Sequence, residues 1–350
     1  MPRRPGRPRR LPKRSSASPW ASVQMKHKQL AALLACIFLC LPTQCAAQST
    51  FRVMSYNVEN LFDTEDDPLA DDEEFLPESK RKWTPERYRH KLLQIGKAIS
   101  VAGEWDTPAL AGLCEVENDS VLTHLLTRTA LRSCHYRYCI SGRSDRRGIR
   151  VALLYRYDRF QLIGQRSIHV PVRGRPTRDL LHVWGSIAGG DTLDVVVCHL
   201  PSKAGRSGGD ENRMRVASAL RGLCDSLAAC RMSPLIIAMG DFNDTPGSEC
   251  LNVVAGGVLC NLFAASESGS YKYRSQWEQI DHIFIHCGMK SDNVSLKYVE
   301  RSARTLDFPF LFTGSRSKSG KRPFRTFSGN DYEGGFSDHL PIVADFTLDR

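Results

Sequence analysis

Six short apolar runs, each with an acidic, amide or imidazole group at one end, constrain this chain more than any other feature. In four of them the polar group follows the run. Phe51–Tyr56 leads to Asn57, Ala109–Cys114 to Glu115, Leu193–Cys198 to His199, and Leu235–Gly240 to Asp241 and Asn243. In two it precedes the run: Asp281 opens Asp281–Ile285, and Asp338-His339 opens Leu340–Phe346. Runs of this length, rich in Val, Ile and Phe, read as buried strands. If the last two strands run antiparallel to the first four, all six polar groups meet on one rim of a sheet. Such a rim can hold a hard divalent cation beside a proton-transfer pair, the equipment for metal-assisted hydrolysis of a phosphate ester.

Helical patterns separate the early strands. Thr84-Pro85-Glu86 supplies a cap, a proline at the first helical position and an acid in the first turn. Tyr88, Leu92, Ile95 and Ile99 then recur on one face until Gly103. A second helix is expected over about 118–131. A third, over about 211–230, follows the glycine-rich loop 204–209 and turns Met214, Ala217, Leu220, Leu223 and Leu227 inward. Tyr136–Ser141 and Ile149–Tyr155 read as paired strands joined by a basic turn, and 303–336 as a long structured loop. Helices alternating with strands early, and strands clustering late, predict a mixed-sheet α/β sandwich. Residues 49–350 are enough for one sizeable core, and no linker or repeat divides them.

The formal charge of +10 is local. Nine of the 48 basic residues fall in residues 1–50, which contain no acid; the other 39 face 38 acidic residues. The body of the chain is therefore near neutral and carries no global polyanion-binding excess. Residues 1–24 are rich in Pro and Arg and read as a disordered extension or as sequence preceding the true start at Met25. Residues 25–48 read as a signal peptide: Lys26-His27-Lys28, twelve apolar residues Leu30–Leu41, and small residues around Ala46-Ala47. Twelve apolar residues are too few for stable membrane insertion. A periplasmic or secreted, monomeric protein is the expectation. Three of the twelve cysteines lie in this leader, and the odd nine that remain leave at least one thiol free. Cys134/Cys139 and Cys224/Cys230 are local candidates for pairing, and Cys114 and Cys198 suit the core.

Each motif has a plain reading beside a chemical one. Gly240-Asp241-Phe242-Asn243 permits a sharp turn that leaves Asp241 and Asn243 on one side, where they can polarise water and bind a phosphoryl oxygen; strand-end turns also use these residues. Asp338 could bind a metal or fix an imidazole, and His339 could bind the phosphate or transfer a proton, with Asp281 stabilising the charged imidazole; an N-terminal turn of an edge strand is the plain reading. His282, the next residue along the strand from Asp281, should face the opposite way and be structural. Glu115 suits a hard cation or a helix cap, and Asn57 and Glu59, two apart, could share its site. His199 closes a very apolar strand and could serve the site or be a satisfied core histidine.

Taken together, SYNVEN (55–60), LCEVEN (113–118), VVCHLPS (196–202), AMGDFNDTP (238–246), QWEQIDHIFI (276–285) and FSDHLPI (336–342) resemble the endonuclease/exonuclease/phosphatase family over about 51–347. The resemblance implies a deoxyribonuclease I-like fold: a four-layer sandwich of two packed mixed β-sheets flanked by helices. It implies Mg²⁺ or Mn²⁺ on Glu115, with Asn57, Glu59 and Asp338 beside it. Asp241 and Asn243 would orient water and phosphate, Asp281 would pair with His339, and His199 would contact the phosphate or assist proton transfer. One departure stands out: the strand position expected to give His199 an acidic partner is nearest to Ile149. Nothing resembles the substrate signatures of inositol-phosphate phosphatases.

Clusters of basic residues flank three of the motifs. Lys203 and Arg206 follow His199, Arg213 and Arg215 begin the next helix, and Lys318, Lys321, Arg322 and Arg325 precede Asp338; Arg143, Arg146, Arg147 and Arg150 surround Asp145. Lys203 and Arg213, with Asn57, are the candidates for substrate binding, and solvated surface charge is the plain alternative. Tyr271, Tyr273 and Trp277 could stack on a base, although core packing is the simpler expectation. The expected activity is that of an exported phosphodiesterase acting on a phosphodiester substrate, foremost nucleic acid. A phospholipid phosphodiesterase, a small-molecule phosphatase and a catalytically silent binding protein are the alternatives.

Overall fold

Alternation in the first strand, β1 (Ser49–Leu61), sends Phe51 and Val53 to one face and Met54 and Tyr56 to the other, and all four are buried. A strand apolar on both faces needs a layer on each side. The computed structural model describes residues 49–174, 176–203, 209–266, 268–313 and 320–348. The extension 1–24, the signal segment 25–48, residues 204–208 with Arg206, and Lys318 lie outside the described residues.

The remaining elements, in chain order, are α1 (Pro85–Ala102), β2 (Leu110–Val116), α2 (Asp119–Thr127), β3 (Tyr136–Ile140), β4 (Arg150–Arg156), β5 (Gln161–Ile168), β6 (Leu180–Ser186), β7 (Thr192–His199), α3 (Gly209–Cys230), β8 (Leu235–Asp241), α4 (Glu249–Ala255), β9 (Leu259–Asn261), β10 (Tyr271–Tyr273), β11 (Gln276–Glu278), β12 (Asp281–His286), β13 (Leu296–Tyr298), β14 (Arg304–Thr305), β15 (Phe327–Ser328), β16 (Asp331–Tyr332) and β17 (Ile342–Leu348). One large sheet runs β13-β17-β1-β2-β4-β3, with β14 also on β17; the other runs β5-β6-β7-β8-β12-β9.

Each sheet is built around one parallel pair, β1/β2 in the first and β7/β8 in the second. A later strand returns antiparallel beside each pair: β17 on β1, and β12 on β8. The ends of β1, β2, β7 and β8 therefore lie on the same rim as the starts of β12 and β17, as the pattern of apolar runs requires. Between the sheets, Val53, Leu110, Val151, Val195, Ile237, Ile283 and Phe346 form a dry core. Helices α1 and α2 bury Leu92, Ile95 and Leu122 on the outer face of the first sheet, and α3 and α4 bury Leu220 and Leu251 on the second. The result is the expected four-layer sandwich. Each of these fully buried aliphatic side chains contributes about 1.5–3 kcal/mol.

Several local expectations are corrected. The second helix stops at Thr127; Thr129 then turns extended, and its Oγ accepts from the Leu131 N–H to open a separate 3-10 turn. The structure adds β5 and β6 to the expected strands; β5 is an edge strand with mostly exposed residues, so it carries no apolar run. The disulfide joins Cys260 and Cys287, not the local pairs: Cys139 and Cys224 are buried thiols. The antiparallel register of Cys260 with Ile285 on β12 brings Cys287 within reach, which no spacing in the sequence signals.

His282 faces away from the rim and is fully buried. Its Nε2 is 3.0 Å from the Asp244 carbonyl, to which it donates, and its Nδ1 is 3.2 Å from Asn261 Nδ2, from which it accepts. Burial lowers its pKa to about 4. Between pH 6.5 and 4 the unfolded chain binds this proton and the native state does not, so stability falls as pH drops through that window, by about 3 kcal/mol in all. His282→Gln is expected to flatten this part of the dependence. Urea midpoints at pH 7 and pH 4.5 test it: an equal pH-induced loss in parent and variant would exclude the assignment.

Candidate active site

The second sheet delivers three groups in register. His199 stands beside Asp241 across the parallel pair, and Asp281 stands opposite Asp241 across the antiparallel pair. This close approach of β7 and β8 depends on Gly240, at φ +149°, where an added Cβ would lie 1.8 Å from the Cys198 carbonyl oxygen. The first sheet delivers Asn57 from β1 and Glu115 from a register shift in β2, where Glu115 takes φ +66°. The Asn57 amide ties the sheets together, donating from Nδ2 to Asp241 Oδ2 at 3.0 Å.

Of the residues expected from sequence, Asn57, Glu115, His199, Lys203, Asp241, Asn243, Asp338 and His339 line one cleft of about 550 Å³. Asp241 is its focus. Its Oδ2 lies 3.4 Å from His199 Nε2 and 3.8 Å from His339 Nε2, and its Oδ1 accepts from the Asn243 N–H at 2.8 Å. Asp281 lies behind His339, with Oδ2 2.7 Å from His339 Nδ1 and 2.6 Å from the Ser270 hydroxyl that donates to it. Burial opposes charge on His339, but Asp281 overrides it and holds the imidazole pKa well above its ordinary value. Burial drives His199 the other way, well below the ordinary value, reinforced by Arg178 and Arg147. Burial likewise raises Asp241 to about 7, against the pull of His339. One rim thus carries a charged imidazole, a neutral imidazole and a carboxyl that changes charge near neutrality.

Two expected site residues fall elsewhere. Glu59 leaves the alternation of β1 at φ +50°, and its Oε2 accepts from the Thr326 N–H, 3.9 Å from the buried Lys91 ammonium. It lines a separate pocket beside Arg325. Arg213 is buried and does not line the cleft; it donates to Asp244 and to the Pro201 carbonyl. Lys203 reaches the cleft wall with Nζ 2.8 Å from Asp244.

The structure also adds residues. Arg178, just before β6, places one guanidinium nitrogen 2.6–2.8 Å from the His199 ring nitrogens, where an acidic partner was expected, and lies 3.6 Å from Asp145. Among the described residues its own buried Nε finds no partner. Arg147 lines the cleft 3.9 Å from Glu115. Tyr271 and Tyr273, on an unanticipated β10/β11 hairpin, line the wall and not the core, and the Tyr271 ring lies 4.8 Å from that of His339.

Two groups could hold a cation. Glu115, Asn57 and Asp338 offer oxygen donors in the cleft lining; Glu115 Oε2 accepts from the Asn60 N–H, and Asp338 Oδ2 from Arg325 at 2.5 Å. Asp241, Asp281 and His339 bring one potential ligand atom each within 4.8 Å of one another. His339 is committed to Asp281 as an ion pair, so its imidazole is a poor ligand. The all-oxygen set fits a hard cation that keeps several waters.

The model of the endonuclease/exonuclease/phosphatase family matches residues 52–347. No curated protein matches the sequence. Among solved structures, an endonuclease/exonuclease/phosphatase family protein from Bacteroides thetaiotaomicron is 17% identical, aligned over 86% of this chain and 99% of its own, with a TM-score of 0.56. A mannosyl-6-phosphatase from the same organism is 17% identical over 85% of this chain and all of its own, with a TM-score of 0.55. D. rerio TDP2 complexed with a single-strand DNA product is 16% identical over 86% of this chain and all of its own, with a TM-score of 0.53. At these identities the shared feature is the fold.

Proposed function

The chain belongs to the endonuclease/exonuclease/phosphatase family of phosphoric ester hydrolases, and on that premise we propose that it is an exported, Mg²⁺- or Mn²⁺-dependent phosphodiesterase acting on nucleic acid. One observation carries the reading: the Asp281–His339 pair, Asp241, His199 and the Glu115–Asn57 oxygen donors converge on a single cleft. Export rests on the composition of residues 25–48. Among the described residues no helix is long and apolar enough to cross a membrane.

Glu115, Asn57 and Asp338 would hold the divalent ion, which when bound neutralises phosphoryl charge and the leaving oxygen. Asp241, fixed by Asn57 and the Asn243 N–H, accepts a proton from the attacking water. Asn243, whose amide also donates to the Leu200 carbonyl, presents its remaining N–H to a phosphoryl oxygen. His339, held at Nδ1 by Asp281, donates from Nε2 to the phosphate or the leaving oxygen. His199, neutral beside Arg178, positions that guanidinium against the phosphate.

Nucleic acid is favoured by the cleft wall, where Tyr271 and the half-exposed Tyr273 can stack on bases beside Lys203 and Arg147. The likeness to a DNA-bound TDP2 structure is in keeping with this. A second reading, a phosphomonoesterase, draws on the two guanidiniums of Arg147 and Arg178, which would suit a dianionic terminal phosphate. A panel of single- and double-stranded DNA, RNA, sphingomyelin and sugar phosphates separates the possibilities. Cleavage of nucleic acid is expected. Turnover confined to sphingomyelin or to phosphomonoesters would rule out the nuclease assignment.

A further inference from the structure

The sequence surrounds Asp145 with four arginines, and the structure sends them different ways. Arg146 pairs with Asp71, and Arg150 donates to the Glu117 and Gly148 carbonyls. The Arg143 N–H donates to Asp179 Oδ2 at 3.2 Å, and Arg147 lines the cleft. Asp145 itself does not line the cleft, and its side chain is only 11% exposed. Its Oδ1 accepts from the Arg147 N–H at 2.9 Å. Its Oδ2 accepts from Arg147 Nη2 at 3.2 Å and from Nε at 3.3 Å, and lies 3.6 Å from Arg178 Nη1.

One carboxylate oxygen therefore faces both guanidiniums that line the cleft. Two like charges brought together repel, and the carboxylate offsets that repulsion. The other end nitrogen of Arg178 lies against the His199 ring nitrogens, so the acidic partner that His199 lacks stands one guanidinium further back. The turn that carries Asp145 is closed without its carboxylate. The Asp145 N–H donates to the Ile149 carbonyl at 3.2 Å, and the Gly148 N–H to the Asp145 carbonyl at 3.0 Å. The Arg143–Asp179 contact separately ties this turn to the segment that carries Arg178. Long side chains fixed beforehand lose less rotamer freedom when they grip a ligand.

We propose that Asp145 is a positioning residue for substrate binding, holding Arg147 and Arg178 as a preset two-guanidinium clamp on one phosphoryl group. The proposal rests on the reading of the cleft as a phosphoric ester site. Asp145 acts only through the two arginines and touches no substrate. Because the clamp is set before substrate arrives, it grips phosphate in the ground state and the transition state alike. Its loss therefore falls on binding and not on the chemical step. That separates Asp145 from the Asp281–His339 pair, whose loss falls on kcat.

Inorganic phosphate is the probe, because it fits the clamp whichever ester is cleaved. In calorimetric titrations of the full chain with Mg²⁺ present, Asp145→Asn is expected to weaken phosphate binding about tenfold. Asparagine keeps an acceptor for the Arg147 N–H and removes the charge that faces both guanidiniums. The half-exposed Arg147→Ala is expected to weaken binding comparably, and the double variant by less than the product of the two, since both act through one clamp. On a soluble diester, Asp145→Asn should raise KM about tenfold and leave kcat within about threefold of the parent. Unchanged phosphate affinity in either single variant, no phosphate binding by the parent, or a strictly multiplicative double variant would overturn the proposal. So would a loss confined to kcat. A parent that cleaves no diester while the phosphate affinities change as expected would refute the phosphodiesterase assignment and support the clamp.

Discussion

Replacing His339 by alanine is expected to lower kcat by about 10²–10⁴ while leaving KM nearly unchanged, the loss typical of a positioned proton donor. Its Nε2 lies 3.8 Å from Asp241 in the cleft, and Asp281 holds the ring from behind at 2.7 Å. Alanine removes the donor but leaves the backbone bridge of residue 339 to Tyr271 and the start of β17 in place. Asp281→Asn should cost a comparable factor, because a neutral amide no longer stabilises the charged imidazole. The two groups act as one unit, so the double variant should be little worse than His339→Ala alone. Steady-state kinetics on a soluble diester, with circular dichroism confirming the fold, decide it. Strictly multiplicative losses would show that the pair does not function as a pair.

The second large effect concerns folding. Gly240→Ala is expected to cost about 4 kcal/mol or more and to lower the Tm by roughly 10 °C, or to yield no soluble protein. At φ +149° an L residue is strained whatever the space, and here there is none: the new Cβ would meet the Cys198 carbonyl at 1.8 Å. Relief requires β7 and β8 to separate where His199 and Asp241 stand side by side. Thermal unfolding of the purified variant measures the cost. A Tm within two degrees of the parent would show that the parallel pair tolerates a side chain there.

The contrast between these residues shows what sequence could convey. A polar side chain closing a buried apolar strand is conspicuous because burial without a partner is costly, so Asn57, Glu115, His199, Asp241, Asp281 and His339 were all legible. Chain direction followed from which end of each run was polar. Glu59 misled because ideal alternation puts it on the same side as Asn57; the left-handed turn at Glu59 and Asn60 breaks that alternation. Arg213 was readable in retrospect, since it lies four residues before Ala217 and seven before Leu220, on the buried face of α3. Arg178 had no such signal. It sits in a polar segment before β6, and only the three-dimensional path of that segment sets it against His199. Tyr271 and Tyr273 look like core aromatics until the short β10/β11 hairpin turns them to the cleft.

The most direct measurement of the central claim is hydrolysis of a single-stranded DNA substrate by the purified chain, stripped with a chelator and then titrated with Mg²⁺ or Mn²⁺, with Glu115→Gln in parallel. Activity should vanish with the chelator and return with the cation in the parent, and Glu115→Gln should remain at least about a hundredfold below it at equal cation. Undiminished hydrolysis in the chelator, or a Glu115→Gln titration that overlays the parent, would mean that the six strand ends do not assemble a metal-dependent catalyst.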